Sequence, residues 1–128
     1  MIVLDTSVLI AHLDSTDAHH RTATQLLRAC EYESLGVSPI TMAEVLVGPA
    51  RAGRLAAVEA AIDELGVGIV PLVDSSPGRL ASLRASTRLT LPDCCVLLAA
   101  ELAGGSLATF DARLATEAAT AGFDVRGV

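Results

Sequence analysis

The stretch Met1-Ile2-Val3-Leu4-Asp5-Thr6-Ser7 governs how the rest of the chain is read. An apolar run with no polar alternation describes a strand covered on both faces. Asp5 stops it, and Val8, Leu9, Ile10 and Leu13 then suit a short helix. The same arrangement returns near the other end. Ser106-Leu107-Ala108-Thr109 reads as a short strand, and Asp111 as the cap of a helix running to about Ala121.

The residues between repeat the alternation. Asp17 is placed to cap a helix carrying Ala23, Leu26, Leu27 and Cys30. Gly36-Val37-Ser38 reads as a second strand, followed by a helix from Thr41 to Val47 that ends near Gly48-Pro49. Leu55, Val58, Ile62 and Leu65 mark an amphipathic helix, with Gly66 to stop it. Gly68 to Val73 reads as a third strand. Ser75-Ser76-Pro77 opens a helix bearing Leu80, Leu83, Arg84 and Arg88. Pro92 opens another that is apolar nearly all round to Leu102 and ends at Gly104-Gly105; Phe123-Asp124-Val125 reads as a last edge strand. Strands alternating with helices predict an α/β fold, a parallel-stranded central sheet flanked by helices on both faces. With 128 residues and no linker or repeat, one domain over residues 1–128 is expected.

Composition removes several classes. Apolar residues make up 52% of the chain, which excludes a disordered one. No apolar run approaches the ~20 residues of a spanning helix. The N-terminus has no basic stretch before its apolar residues, so no signal peptide is expected and a cytoplasmic location is. Cys30, Cys94 and Cys95 make neither a disulfide framework nor a zinc pattern, and read as buried small hydrophobes. All nine basic residues are Arg, and the net charge is −6.

Four acids fall where a parallel sheet would gather them. Asp5 and Asp111 follow strands, and Glu44 and Asp93 are read in the first turns of helices. Ligands of open parallel sheets bind beyond the carboxyl ends of the strands, where the following helices also begin. Each acid has an ordinary structural explanation. Asp5 and Asp111 suit helix caps, Thr41-x-x-Glu44 matches a capping box, and Asp93 after Pro92 suits a helix dipole. Together, however, four carboxylates in one crevice repel, and a hard divalent cation relieves that repulsion. Mg²⁺ takes oxygen ligands, keeps several waters and can activate one against a phosphodiester.

The segments Ile2-Val3-Leu4-Asp5-Thr6-Ser7, Thr41-Met42-Ala43-Glu44-Val45-Leu46, Leu91-Pro92-Asp93 and Leu107-Ala108-Thr109-Phe110-Asp111 resemble, in order and spacing, those of PIN-domain ribonucleases, specifically VapC-type toxins of toxin–antitoxin pairs. The resemblance spans nearly the whole chain. It implies a PIN-like three-layer α/β/α fold and a metal-dependent endoribonuclease that leaves a 5′-phosphate and a 3′-hydroxyl. It implies Asp5 and Asp93 as the principal ligands of Mg²⁺, which Mn²⁺ would replace. Glu44 would bind metal or act as general base, and Asp111 would complete the pocket. Thr6, Ser7 or Thr109 would steady a carboxylate. A small antitoxin inserting a basic side chain, and a homodimer, are the implied partners. One departure is Leu114, where many relatives carry a further acid, so a second metal site is in doubt.

Other functions compete with this one. A phospho-receiver domain or a dehalogenase-type phosphatase also places acids and Mg²⁺ on a parallel sheet, but each is expected to use a Lys, and none is present. A catalytically inactive PIN-like binding domain is the other alternative; all four acids are present, so nothing in the sequence marks the chain as degenerate. Arg79, Arg84 and Arg88, read on one segment before Asp93, and Arg51 and Arg54 are candidates for RNA phosphates. Adjacent His19 and His20 point about 100° apart on a helix, so they and His12 read as surface or packing residues.

Overall fold

The computed structural model describes residues 1–127. The strands are β1 (Ile2–Leu4), β2 (Leu35–Val37), β3 (Val67–Ile69), β4 (Ser106–Ala108) and β5 (Asp124–Arg126). The helices are α1 (Thr6–Leu13), α2 (His20–Ala29), α3 (Pro39–Arg51), α4 (Leu55–Glu64), α5 (Ser76–Ser86), α6 (Leu91–Ala103) and α7 (Ala112–Thr120). The sheet order is β3-β2-β1-β4-β5, and every pairing is parallel. The expected α/β fold is therefore present.

Both faces of the sheet are covered, which is why β1 has no polar position. Ile2 and Leu4 enter a core with Val8, Leu9, Leu27, Val37 and Ile62, while Val3 points the other way onto Leu97, Leu98, Leu107 and Leu114. Helix α6 supplies much of the second core, with every residue from Cys94 to Ala100 buried. Gly104, at φ 113°, ends it in the left-handed conformation that a side chain resists. Among the described residues, no helix is long and apolar enough to cross a membrane.

Several sequence expectations needed adjustment. Helix α3 does not stop at Gly48-Pro49 but runs through Pro49 to Arg51. Proline removes one hydrogen bond, and near a helix end this interrupts little of the ladder. The cap of α3 is Ser38, whose hydroxyl accepts from the Ile40 amide, so Ser38 is not a strand residue. The capping box at Thr41 and Glu44 is absent: Thr41 is buried inside the helix, and Glu44 lies in the second turn, not the first. Helix α2 starts at His20, and Asp17 instead closes a turn by accepting from the His19 amide at 2.8 Å. Strand β3 ends at Ile69, short of Leu72 and Val73. Helix α5 ends at Ser86, so Arg88 lies beyond it and is not a helical neighbour of Arg84.

The order of the strands has a consequence for binding. From β1 the chain builds outward to β2 and β3, then crosses to the other side of β1 for β4 and β5. The direction reverses between β1 and β4, and there the following segments diverge to open a crevice.

Candidate active site

Asp5 and Thr109 stand at the carboxyl ends of β1 and β4. The Asp5 amide donates to the Ala108 carbonyl at 3.0 Å, and the Thr109 amide to the Arg126 carbonyl at 3.0 Å, so the sheet ladder fixes both backbones. Asp5 occupies the cap position of α1, yet its carboxylate caps nothing. Instead its Oδ2 accepts from the Ser7 and Thr109 hydroxyls, each at 2.8 Å. Asp5 is only 6% exposed. Burial of a carboxylate is unfavourable unless hydrogen bonds compensate, and here two hydroxyls compensate one oxygen. The other, Oδ1, has no hydrogen-bond partner among the described residues.

Ser7 and Thr109 are themselves held. The Ser7 hydroxyl accepts from the Phe110 amide at 3.0 Å, and the Thr109 hydroxyl from the Asp111 amide at 2.9 Å. Ser and Thr therefore pin one strand end to the next and orient the carboxylate between them. Both hydroxyls act as expected from sequence; Thr6 serves a different acid, donating to Glu44 Oε1 at 3.3 Å.

Asp93 lies in the first turn of α6, as expected. Thr90 caps that helix and accepts from the Asp93 amide at 3.4 Å, a cap not foreseen although Thr90-x-x-Asp93 has capping-box spacing. Partial burial raises the Asp93 pKa, and the negative charges of Asp5 and Asp111 raise it further, against the opposing Thr90 hydrogen bond. Three acids far apart in sequence thus share one electrostatic neighbourhood. Asp111 is exposed and does cap α7: its Oδ1 accepts from the Arg113 and Leu114 amides at 2.8 and 3.1 Å.

Among the described residues, no three His, Cys, Asp or Glu side chains converge closely enough to ligate one ion together. A hard divalent cation such as Mg²⁺ or Mn²⁺ takes oxygen ligands, often one or two carboxylates and otherwise water. Asp5 Oδ1 and the half-buried Asp93 carboxylate are the donors that suit it. Leu114 is fully buried in the core and offers nothing to a second ion.

The remaining sequence candidates separate. Arg79 is committed to Glu101 by two hydrogen bonds of 2.7 and 3.0 Å, whereas Arg84 and Arg88 are exposed. His12 is bonded to Thr24 at 3.1 Å and His20 to the Ala11 carbonyl at 2.8 Å, which makes both packing residues. Cys30, Cys94 and Cys95 are buried free thiols, and burial pushes the pKa of Cys94 and of Cys95 up, as for inert thiols.

Two hollows are notable, one bordering Glu44 and one at the opposite edge, by the amino ends of β2 and β3. One of about 380 Å³ lies between α1, α3 and α4, lined by Ile10, Leu13, Val45, Pro49 and Val58, with Glu44 and Arg54 also in its wall. A larger one of about 570 Å³, beside Leu35 and Glu64, includes none of the four acids.

Likeness to known proteins agrees with the geometry. The family described as PIN domain matches residues 2–119. No curated protein matches the chain significantly. Among solved structures, a toxin–antitoxin complex from Klebsiella pneumoniae contains a chain 28% identical, with 87% of each chain covered and a TM-score of 0.72. The sarcin–ricin-loop-cleaving toxin VapC20 of Mycobacterium tuberculosis is 23% identical, with 96% of each chain covered and a TM-score of 0.75. FitAcB from Neisseria gonorrhoeae is 20% identical over 99% of this chain and 97% of the other, with a TM-score of 0.76.

Proposed function

Because the chain belongs to the PIN domain family, we propose that it is a divalent-metal-dependent endoribonuclease and the toxin of a toxin–antitoxin pair. The observation that carries this reading is Asp5: a buried carboxylate at the switch point of the sheet, not used as a helix cap, oriented by two hydroxyls with one oxygen left over. The two hydroxyls also tie the strand ends together, but the oxygen left over on a buried carboxylate is what favours a cation-dependent enzyme over a domain kept only for binding.

Asp5 and Asp93 would hold Mg²⁺ or Mn²⁺, Glu44 would act as general base, and Asp111 would complete the acidic pocket. When bound, the ion lowers the pKa of a coordinated water and stabilises charge on the phosphate. The chain's own groups do the rest. Ser7 and Thr109 hold the Asp5 carboxylate in one orientation, so little reorganisation accompanies reaction. Thr6 occupies Glu44 Oε1, which leaves Oε2 to take a proton from the attacking water. The water oxygen bonds to phosphorus, the bond to the 3′-oxygen breaks, and that oxygen takes a proton from solvent to leave as a hydroxyl, while Glu44 returns to solvent the proton it took from the attacking water.

The antitoxin is proposed to lie in the hollow between α1, α3 and α4, whose apolar wall suits an amphipathic segment and whose edge at Glu44 suits a basic side chain. The free protein is proposed to be a homodimer acting on cytoplasmic RNA; light scattering of the purified chain checks the assembly. The function itself is tested by incubating total RNA with the protein in Mg²⁺, in EDTA, and with Asp5→Asn in Mg²⁺. Cleavage to 5′-phosphate ends is expected only in the first reaction. Equal cleavage by Asp5→Asn, or none by the unaltered chain with either Mg²⁺ or Mn²⁺, would overturn the reading.

A further inference from the structure

Resting on the ribonuclease reading, we infer that His19, stacked on Phe110, is a platform for a nucleobase next to the bond that is cut. Aromatic residues are scarce in this chain: two Phe, one Tyr and no Trp. Phe123 packs into the second core. Phe110, half-buried against the first core, is flanked in the chain by Thr109 and Asp111. The His19 and Phe110 rings lie nearly parallel, 19° apart, with centroids at 4.9 Å.

The pair is firmly mounted. The Phe110 amide is held by the Ser7 hydroxyl, the same hydroxyl that orients Asp5. Gly127, at φ +100°, lies against the Phe110 ring so closely that an added Cβ would stand 3.3 Å from its Cε1 and 2.7 Å from the Thr109 carbonyl oxygen. On the other partner, the His19 amide is fixed by Asp17 Oδ1 at 2.8 Å. The three histidines differ in how their rings are used. His12 and His20 are engaged by hydrogen bonds, whereas the His19 ring makes none among the described residues and is exposed. A flat ring open to solvent, backed by a second ring whose own backbone adjoins Asp111 and is tied to Ser7, has the form of a stacking surface, and stacking tolerates any base. In an acidic chain it also attracts RNA without adding to the charge that Arg must supply.

The test compares His19, His19→Ala and His19→Phe, each in an Asp93→Asn background in EDTA so that RNA is bound without being cut. The probe is a short single-stranded RNA carrying 2-aminopurine, read by fluorescence quenching, with melting temperatures measured in parallel. We expect His19→Ala to bind about 5- to 10-fold more weakly, with weaker quenching and an unchanged salt slope, and His19→Phe to restore both. In the otherwise unaltered chain with Mg²⁺, His19→Ala should raise KM more than it lowers kcat. Undiminished binding by His19→Ala, or a His19→Phe variant as weak as His19→Ala, overturns the inference. Failure of the unaltered chain to cut RNA in Mg²⁺ is a separate result, and removes the ribonuclease reading together with this one.

Discussion

Two corners of the same sheet treat charge in opposite ways. At the outer edge, Arg126 on β5 reaches Glu33 at 2.7 and 3.3 Å and Asp124 at 3.4 Å. The guanidinium holds the Glu33 carboxyl below its ordinary range, and the Arg126 pKa is raised in return. At the junction of β1 and β4, acids face acids. Asp93 is pushed up by burial and by Asp5 and Asp111, and hydroxyls alone steady Asp5. Opposite charges at an exposed edge contribute modestly to stability. Like charges in a crevice oppose it, and persist where a ligand of the other sign relieves them. The contrast separates a corner that serves folding from the one for which chemistry is proposed.

The strongest way to break the contrast is Asp93→Asn. It should lower RNA cleavage by more than about 100-fold, beyond the 10- to 100-fold typical of groups behind the ligands. The same change should raise the melting temperature without metal, since it removes a charge that the fold disfavours. The sign follows from linkage. A carboxyl whose folded pKa is raised destabilises the fold when charged, above that pKa. The stability gap between Asp93→Asn and the unaltered chain should therefore shrink as pH falls through the raised Asp93 value. Melting curves over pH in EDTA measure this, and an Asp93→Asn protein less stable than its parent at neutral pH contradicts it.

Thr109→Val has the next largest effect. It keeps the shape but removes one of the two donors to Asp5 and the acceptor for the Asp111 amide. Metal affinity and cleavage should fall about 10- to 100-fold, with stability lower by about 1–3 kcal/mol. Titration of Mn²⁺ by calorimetry against both proteins reads the first effect. Glu33→Gln, in the other corner, should change least. It should lower the melting temperature slightly above the ordinary carboxylate pKa and leave cleavage unchanged. That small difference should vanish as pH falls through the lowered Glu33 value, because protonation then ends the ion pair in the parent as well.

Much of this was legible in the residues, for identifiable reasons. Strands covered on both faces announce themselves as apolar runs, so the readings Met1 to Leu4 and Ser106 to Thr109 each come within one residue of β1 and β4 and place the acids after them. Helix α6, apolar nearly all round, reads as buried and is so from Cys94 to Ala100, while Glu101 and Leu102 are exposed. Local signals with competing interpretations were less secure. Thr41 and Glu44 have the spacing of a capping box, but Ser38-Pro39 starts the helix three residues earlier and takes the role. Pro49 reads as a stop, yet so near a helix end it disturbs too little to act as one. The stacking of His19 on Phe110 joins residues 91 positions apart (110 − 19), and no periodicity or local motif encodes such a contact.

Diffraction from crystals soaked in Mn²⁺, collected at the manganese absorption edge, tests the central claim most directly. An anomalous peak is predicted within bonding distance of Asp5 Oδ1 and the Asp93 carboxylate, and it should disappear in Asp5→Asn crystals. Manganese bound only elsewhere, or a peak that survives that substitution, would contradict it.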